Sequence, residues 1–94
     1  MNLLGSKVRE LRESEGLLLR QVAAHIEVDT ALMSKLERGE RRAQREHVLK
    51  IADFLKADKD ELILLWLADK IKDVIREEPL GIDALKFVEK NLKK

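Results

Sequence analysis

Apolar residues recur every three or four positions along nearly all of the 94 residues, and this periodicity predicts an all-helical protein. In the first segment, Leu4, Val8 and Leu11 fall on one stripe of a helix. The alternation of apolar and polar residues that is typical of half-buried strands is missing, and so is the Asn-Gly signal of a tight hairpin. The chain is therefore expected to belong to the all-α class.

Breaks in this pattern divide the chain into six predicted helices. Gly16 and Gly39 can adopt the left-handed conformation that ends many helices, and Asp29 is a favourable N-cap. Asp58 gives the long fifth helix a capping-box-like start, and Pro79 cannot continue it. The predicted helices cover residues 3–15, 19–25, 30–38, 45–55, 59–77 and 82–92.

Composition indicates one helical domain with a heavily charged surface, since 45% of the residues are hydrophobic and 39% are charged. The formal net charge of +1 does not by itself indicate a nucleic-acid partner. Positive charge is instead concentrated in residues 38–45, RGERRAQR, where four arginines stand against one glutamate. Any argument for DNA binding must therefore come from where the charges lie.

Several classes of protein find no support in the sequence. Without cysteine there can be no disulfide, thiolate metal site or cysteine nucleophile. His25 and His47 are isolated, and no catalytic pair, metal-ligand cluster or glycine-rich phosphate loop is found, so we expect no enzyme activity and no cofactor. The longest uncharged apolar run, 62–68, is too short to span a bilayer, and no signal peptide is evident. We expect a cytoplasmic protein without a membrane partner.

Residues 19–40, LRQVAAHIEVDTALMSKLERGE, place two short helices on either side of the segment EVD. Their apolar residues are spaced as two helices packed at a steep angle around a tight turn would require. This is the helix-turn-helix arrangement, in which the second helix, 30–38, lies in the major groove of DNA.

Residues 8–62 resemble the phage repressor and Cro-like family of bacterial regulators, also called the xenobiotic-response-element family. The runs MSKLERGE and VLKIADFLKADKDEL carry the resemblance. It implies a five-helix repressor-like fold, here with an additional C-terminal helix, that binds double-stranded DNA as a dimer. We expect residues 1–58 to form the DNA-binding core and 59–94 to cover that core and form a dimer. The chain is also similar to small regulators encoded beside restriction or DNA-methyltransferase genes.

The resemblance also implies roles for individual residues. The positions that read bases are Thr30, Ala31, Ser34 and Lys35. The positions that contact phosphates are Arg38, Arg41, Arg42 and Arg45, with Gln21 as a substitute contact. Arg12 and Glu37 match a structural salt bridge that joins helix one to the end of helix three. A plainer interpretation of the arginines, a solvated charged face, stays open at this point.

Three positions depart from the family pattern. Leu18 and Leu19 stand where relatives often carry a Ser or Thr cap and a phosphate-binding Gln. Glu27 stands where a turn glycine is common. A non-glycine residue in the left-handed conformation costs about 1 kcal/mol, so the turn is expected to differ slightly from that of relatives. Glu27 is also expected to place a negative charge near the DNA.

Helix five carries nearly two apolar faces, one more than a surface helix needs. We expect the second face, with helix six, to form the interface of a homodimer. The predicted interface residues are Leu65, Trp66, Ile71, Leu85, Val88 and Leu92. Trp66 fits a core role equally well, and Asp69 and Asp73 are expected to be solvated. Two functions follow: an autoregulatory homodimer on a palindromic operator, or an antitoxin-like module that binds a protein partner.

Overall fold

The computed structural model describes residues 1–93, and within them the chain forms six α-helices and no strand. The predicted all-α class is confirmed, and every predicted helix boundary lies within two residues of the observed one. The helices are α1 Leu3–Ser14, α2 Leu19–His25, α3 Thr30–Arg38, α4 Arg45–Leu55, α5 Lys59–Ile75 and α6 Gly81–Leu92.

The first five helices enclose one apolar core. Helix α1 packs against α3 and α5, α2 against α3 and α4, and α4 against α5. The side chains at the centre of this core are Val22, Ile26, Met33, Val48, Ile51 and Leu62, which are at most 2% exposed. Because α5 contributes Leu62 and Trp66 to the same core, its first half packs as part of the five-helix body.

The first turn of α1 is capped from two directions. The Asn2 side chain accepts a hydrogen bond from the Gly5 N–H at 2.7 Å. The Asp69 carboxylate, on α5, accepts from the N–H groups of Leu3 and Leu4, both at 2.9 Å. Asp69 is 3% exposed, so the expectation that it is solvated is wrong. A helix N-terminus has unpaired N–H groups and a positive dipole end, and a carboxylate satisfies both.

An ion pair joins α1 to the end of α3. Arg12 Nε lies 2.6 Å from Glu37 Oε2, and Arg12 Nη2 donates to Glu37 Oε1 at 3.2 Å. The hydrogen bond to Glu37 raises the pKa of Arg12 above its ordinary value. Gly5 allows the two helices to meet, because a Cβ there would lie 2.0 Å from the Glu37 carbonyl oxygen. The pairing that the family resemblance implies is therefore present.

Trp66 lies in the core of the monomer. Its indole N–H donates to the Ala43 carbonyl at 2.7 Å, and only 7% of the residue is exposed. Lys70 Nζ lies 3.7 Å from the ring centroid and the Arg45 guanidinium 5.1 Å from it. The ring is thus covered by residues of its own chain, as the core interpretation predicts, whereas a dimer contact at Trp66 stays a prediction.

Helix α6 packs mainly on α5, with which it forms a C-terminal hairpin. The turn between them is tight at Gly81, where a Cβ would lie 2.3 Å from the Ile75 carbonyl oxygen. Apart from Gly81, every described residue of α6 is exposed. Helix α6 therefore lies outside the five-helix body, and its apolar residues are open to solvent.

Candidate nucleic-acid interface

The turn between α2 and α3 is short and tightly hydrogen-bonded. The Val28 N–H donates to the Ala23 carbonyl at 3.0 Å, and the Asp29 side chain accepts from the Leu32 N–H at 2.7 Å. Glu27 has a φ of 62°, in the left-handed region that favours glycine. A side chain there costs about 1–2 kcal/mol. The expectation that the turn would avoid this conformation is therefore wrong, because Glu27 adopts it and the backbone is strained there.

Helix α3 has one side against the body and one side open. Its inner side is made of the buried residues Met33, Leu36 and Glu37. On the outer side Thr30, Ala31 and Lys35 are exposed, and Ser34 is half-buried. Three of these outer side chains are short, so little bulk separates the α3 backbone from a surface placed against it. The four predicted base-reading residues therefore lie on one side of this helix.

The start of α2 has a cap that the sequence did not make obvious. Leu18 has no acceptor in its side chain, but its backbone N–H donates to Gln21 Oε1 at 2.7 Å. Gln21 thus supplies one half of a capping box. This bond leaves the amino group of Gln21, the donor of its amide, unpaired within the described residues.

The arginine-rich segment, residues 38–45, joins the end of α3 to the start of α4 and contacts α5 in three places. The Ala43 carbonyl accepts from the Trp66 indole, the Arg42 guanidinium forms an ion pair with Asp73, and Arg45 lies over the Trp66 ring. Asp73 was expected to be solvated. Its side chain is about half exposed and forms an ion pair with Arg42. These contacts hold the segment next to the C-terminal end of α3.

The other two predicted phosphate contacts are more open. Arg38 Nε lies 2.8 Å from Glu40 Oε2, and both side chains are about half exposed. Arg41 is exposed, and no ion pair to it is found within residues 1–93. The four arginines therefore differ: Arg42 and Arg45 contact α5, Arg38 has a local carboxylate, and Arg41 has no ion-pair partner within residues 1–93.

A second surface lies in the C-terminal hairpin, where α5 and α6 enclose an open apolar groove of about 310 Å³. Its lining residues are Ile71, Val74, Ile75, Ala84, Leu85 and Val88. Three of the residues predicted to form a dimer line this groove, namely Ile71, Leu85 and Val88. Leu65 is half-buried against the core, and Leu92 is 79% exposed beyond the groove. Val74 shares the apolar face of Ile71 and is 75% exposed, although it was not among the predicted dimer residues.

Metal-binding and membrane-spanning features were searched for among residues 1–93. No group of three or more His, Cys, Asp and Glu side chains is placed to hold a metal ion there. None of the described helices has the length and apolarity needed to cross a bilayer. His25 stacks on Phe54 with ring centroids 4.3 Å apart, in keeping with a structural role.

Taken together, α2, the tight turn and the exposed side of α3 define a helix-turn-helix protein with a C-terminal helical hairpin. The model of a helix-turn-helix domain family matches residues 3–65, and the chain belongs to this family of Cro-like regulators. Comparison with curated proteins and with solved structures finds no match. The second half of α5 and all of α6 lie outside the matched region.

Proposed function

We propose that the protein is a sequence-specific DNA-binding transcriptional regulator that inserts α3 into the major groove. The observation that carries the proposal is the exposed, short-chained outer side of α3 on a rigid support. Met33 and Leu36 fix the inner side of the helix, and the Arg12–Glu37 pair fixes its end. A helix held in this way meets the requirement that groove-reading side chains be presented in one defined orientation.

Base reading is assigned to Thr30, Ala31, Ser34 and Lys35. Lys35 is the one member of this set that carries a charge, and its ammonium group can donate to guanine O6 or N7. Thr30 and Ala31 can make contact with a thymine methyl group. These roles rest on exposure and on the family to which the chain belongs.

Phosphate contacts are assigned to the arginines and to the Gln21 amino group. Arg41 is expected to contribute most, because its side chain is exposed and has no described carboxylate partner. Arg38 and Arg45 are accessible at the flanks of the same segment, and Arg42 must first leave Asp73. Such contacts set the position and affinity of a protein on DNA but carry no sequence information.

The active form is proposed to be a cytoplasmic homodimer on a palindromic operator, through which the protein regulates its own gene. Two α3 helices would then lie about 34 Å apart, one turn of the duplex. The apolar groove supports this proposal, because Leu64 and Leu67, which precede Ile71 on the same side of α5, are also exposed. Helix α6 therefore leaves an apolar stripe on α5 open. Exposed apolar patches of this kind mark protein interfaces.

The test is fluorescence anisotropy with the DNA upstream of the protein's own gene, alongside a shuffled duplex of equal length. We expect the native duplex to bind at least tenfold more tightly at moderate salt. Equal binding to the two duplexes, by protein shown to be folded and dimeric, would refute sequence-specific recognition of that site. A selection from random duplexes then tests for an operator elsewhere.

A second candidate function is an antitoxin-like module that holds a protein partner, and the same apolar groove favours it. The two functions differ in what covers the groove. Co-expression with the product of a neighbouring gene distinguishes them: a stable complex with one copy of this chain would support the module, whereas a homodimer that excludes the neighbour would count against it.

A further inference from the structure

We propose that Asp73 competes with DNA phosphates for Arg42, so that α5 lowers the electrostatic part of DNA binding. This inference rests on the proposed function. The two residues are 31 positions apart in the chain and form an ion pair between the arginine-rich segment and the second half of α5. Asp73 lies outside residues 3–65, the part of the chain matched by the family model.

The surroundings of Asp73 make it a shared carboxylate in a basic environment. Arg76 Nη1 lies 3.8 Å from its second oxygen, so two arginines face one acidic side chain. Asp73 also lines an open polar cleft of about 160 Å³ together with Arg38 and Lys72. The other acidic residue of that cleft, Asp69, is already occupied by the backbone of α1. Asp73 is thus the carboxylate that is accessible to the neighbouring cations.

Arg42 can exchange Asp73 for a phosphate because the two anions offer it similar partners. Carboxylate and phosphate oxygens both accept paired hydrogen bonds from a guanidinium group. The side chains of Arg42 and Asp73 are 39% and 47% exposed, so water and an incoming anion can reach the pair. Ion pairs with such exposure are held weakly.

The Arg42–Asp73 ion pair lowers the electrostatic part of the affinity for DNA. A protein gains affinity by neutralising phosphates and releasing their counterions. Its log affinity therefore falls as log salt concentration rises, with a slope of about −0.9 for each contact. An arginine whose charge is already neutralised by a carboxylate contributes less to this release. Removing the carboxylate while keeping an acceptor of similar shape should therefore add close to one contact.

The experiment compares Asp73→Asn with the wild-type protein on one labelled duplex between 50 and 200 mM salt. We expect the variant to bind more tightly, with its advantage falling about three- to fourfold across that range as one added contact requires. Asp83→Asn, in the first turn of α6, is the matched control for loss of one negative charge. In an Arg42→Gln background, Asp73→Asn should have no effect beyond that of the control.

Three outcomes would overturn the inference. Asp73→Asn could equal Asp83→Asn, it could weaken binding, or its effect could persist without Arg42. Circular dichroism of each variant ensures that the folded protein is compared, and surface substitutions of this kind change stability little. If the wild-type protein binds no duplex at any salt concentration, the proposed function fails instead, so the two failures are distinguishable.

Discussion

The carboxylate of Asp69 accepts a hydrogen bond from the backbone N–H of Leu4 at 2.9 Å, across 65 positions of the chain. The bond holds α1 against α5, because it joins the first turn of α1 to the middle of α5. The fifth helix thus caps the first helix through a residue that lies just beyond the region matched by the family model. The same helix also holds the arginine-rich segment through Trp66 and Asp73.

Replacing Asp69 should destabilise the whole domain. Asp69→Asn keeps the size of the side chain but removes the charge, and its amino group cannot accept from a backbone N–H. Leaving a buried donor unpaired costs about 1–3 kcal/mol, and we expect a loss of that size in the free energy of unfolding. Chemical denaturation followed by circular dichroism measures it. Asp53→Asn, at an exposed position of α4, is the control and should change stability by less than about 0.5 kcal/mol.

Base reading and phosphate contact should separate in a pair of substitutions. Lys35→Ala is expected to cost about 1–3 kcal/mol on the cognate duplex and little on a shuffled one. Arg41→Ala should weaken binding to both duplexes alike and reduce the salt slope by about one. Anisotropy titrations at several salt concentrations measure both effects. If the two variants lose the same affinity on both duplexes, the assignment of α3 to sequence reading is wrong.

The left-handed Glu27 predicts a stabilising substitution within the helix-turn-helix unit. Glycine tolerates a φ of 62° without the cost that a Cβ imposes, although it loses more entropy on folding. We expect Glu27→Gly to raise the free energy of unfolding by up to about 1 kcal/mol. Glu27→Ala removes the same charge and keeps the Cβ, so it separates the two causes. Equal stabilisation by alanine would mean that charge, and not backbone strain, is responsible.

The apolar groove predicts how the protein associates. Val88 lines the groove, whereas Phe87 is 70% exposed and lies outside it. A lysine placed in the groove would have to be desolvated on association, so Val88→Lys should convert the dimer to monomer at micromolar concentration. Phe87→Lys should leave the dimer intact. Sedimentation equilibrium measures both, and dissociation by Phe87→Lys alone would place the interface on another side of α6.

Much of the site could be predicted because it depends on local rules. The cap at Asp29, the left-handed Gly39 and the inward spacing of Met33 and Leu36 all follow from residues within a few positions of each other. The outer side of α3 then follows by exclusion. The left-handed conformation of Glu27 was not predicted, because the turn was expected to differ slightly where a glutamate replaces the family's glycine.

The sequence by itself determined the all-helical class, the positions of the six helices and the outer side of α3, because helical periodicity and capping act over one or two turns. Only the tertiary structure decided that Asp69 is a buried cap, that Trp66 belongs to the core and that Asp73 holds Arg42. Each of those contacts joins residues 23 or more positions apart. No local pattern distinguishes a carboxylate that meets an arginine or a backbone N–H from one that meets water, since the partner is set by how the helices pack.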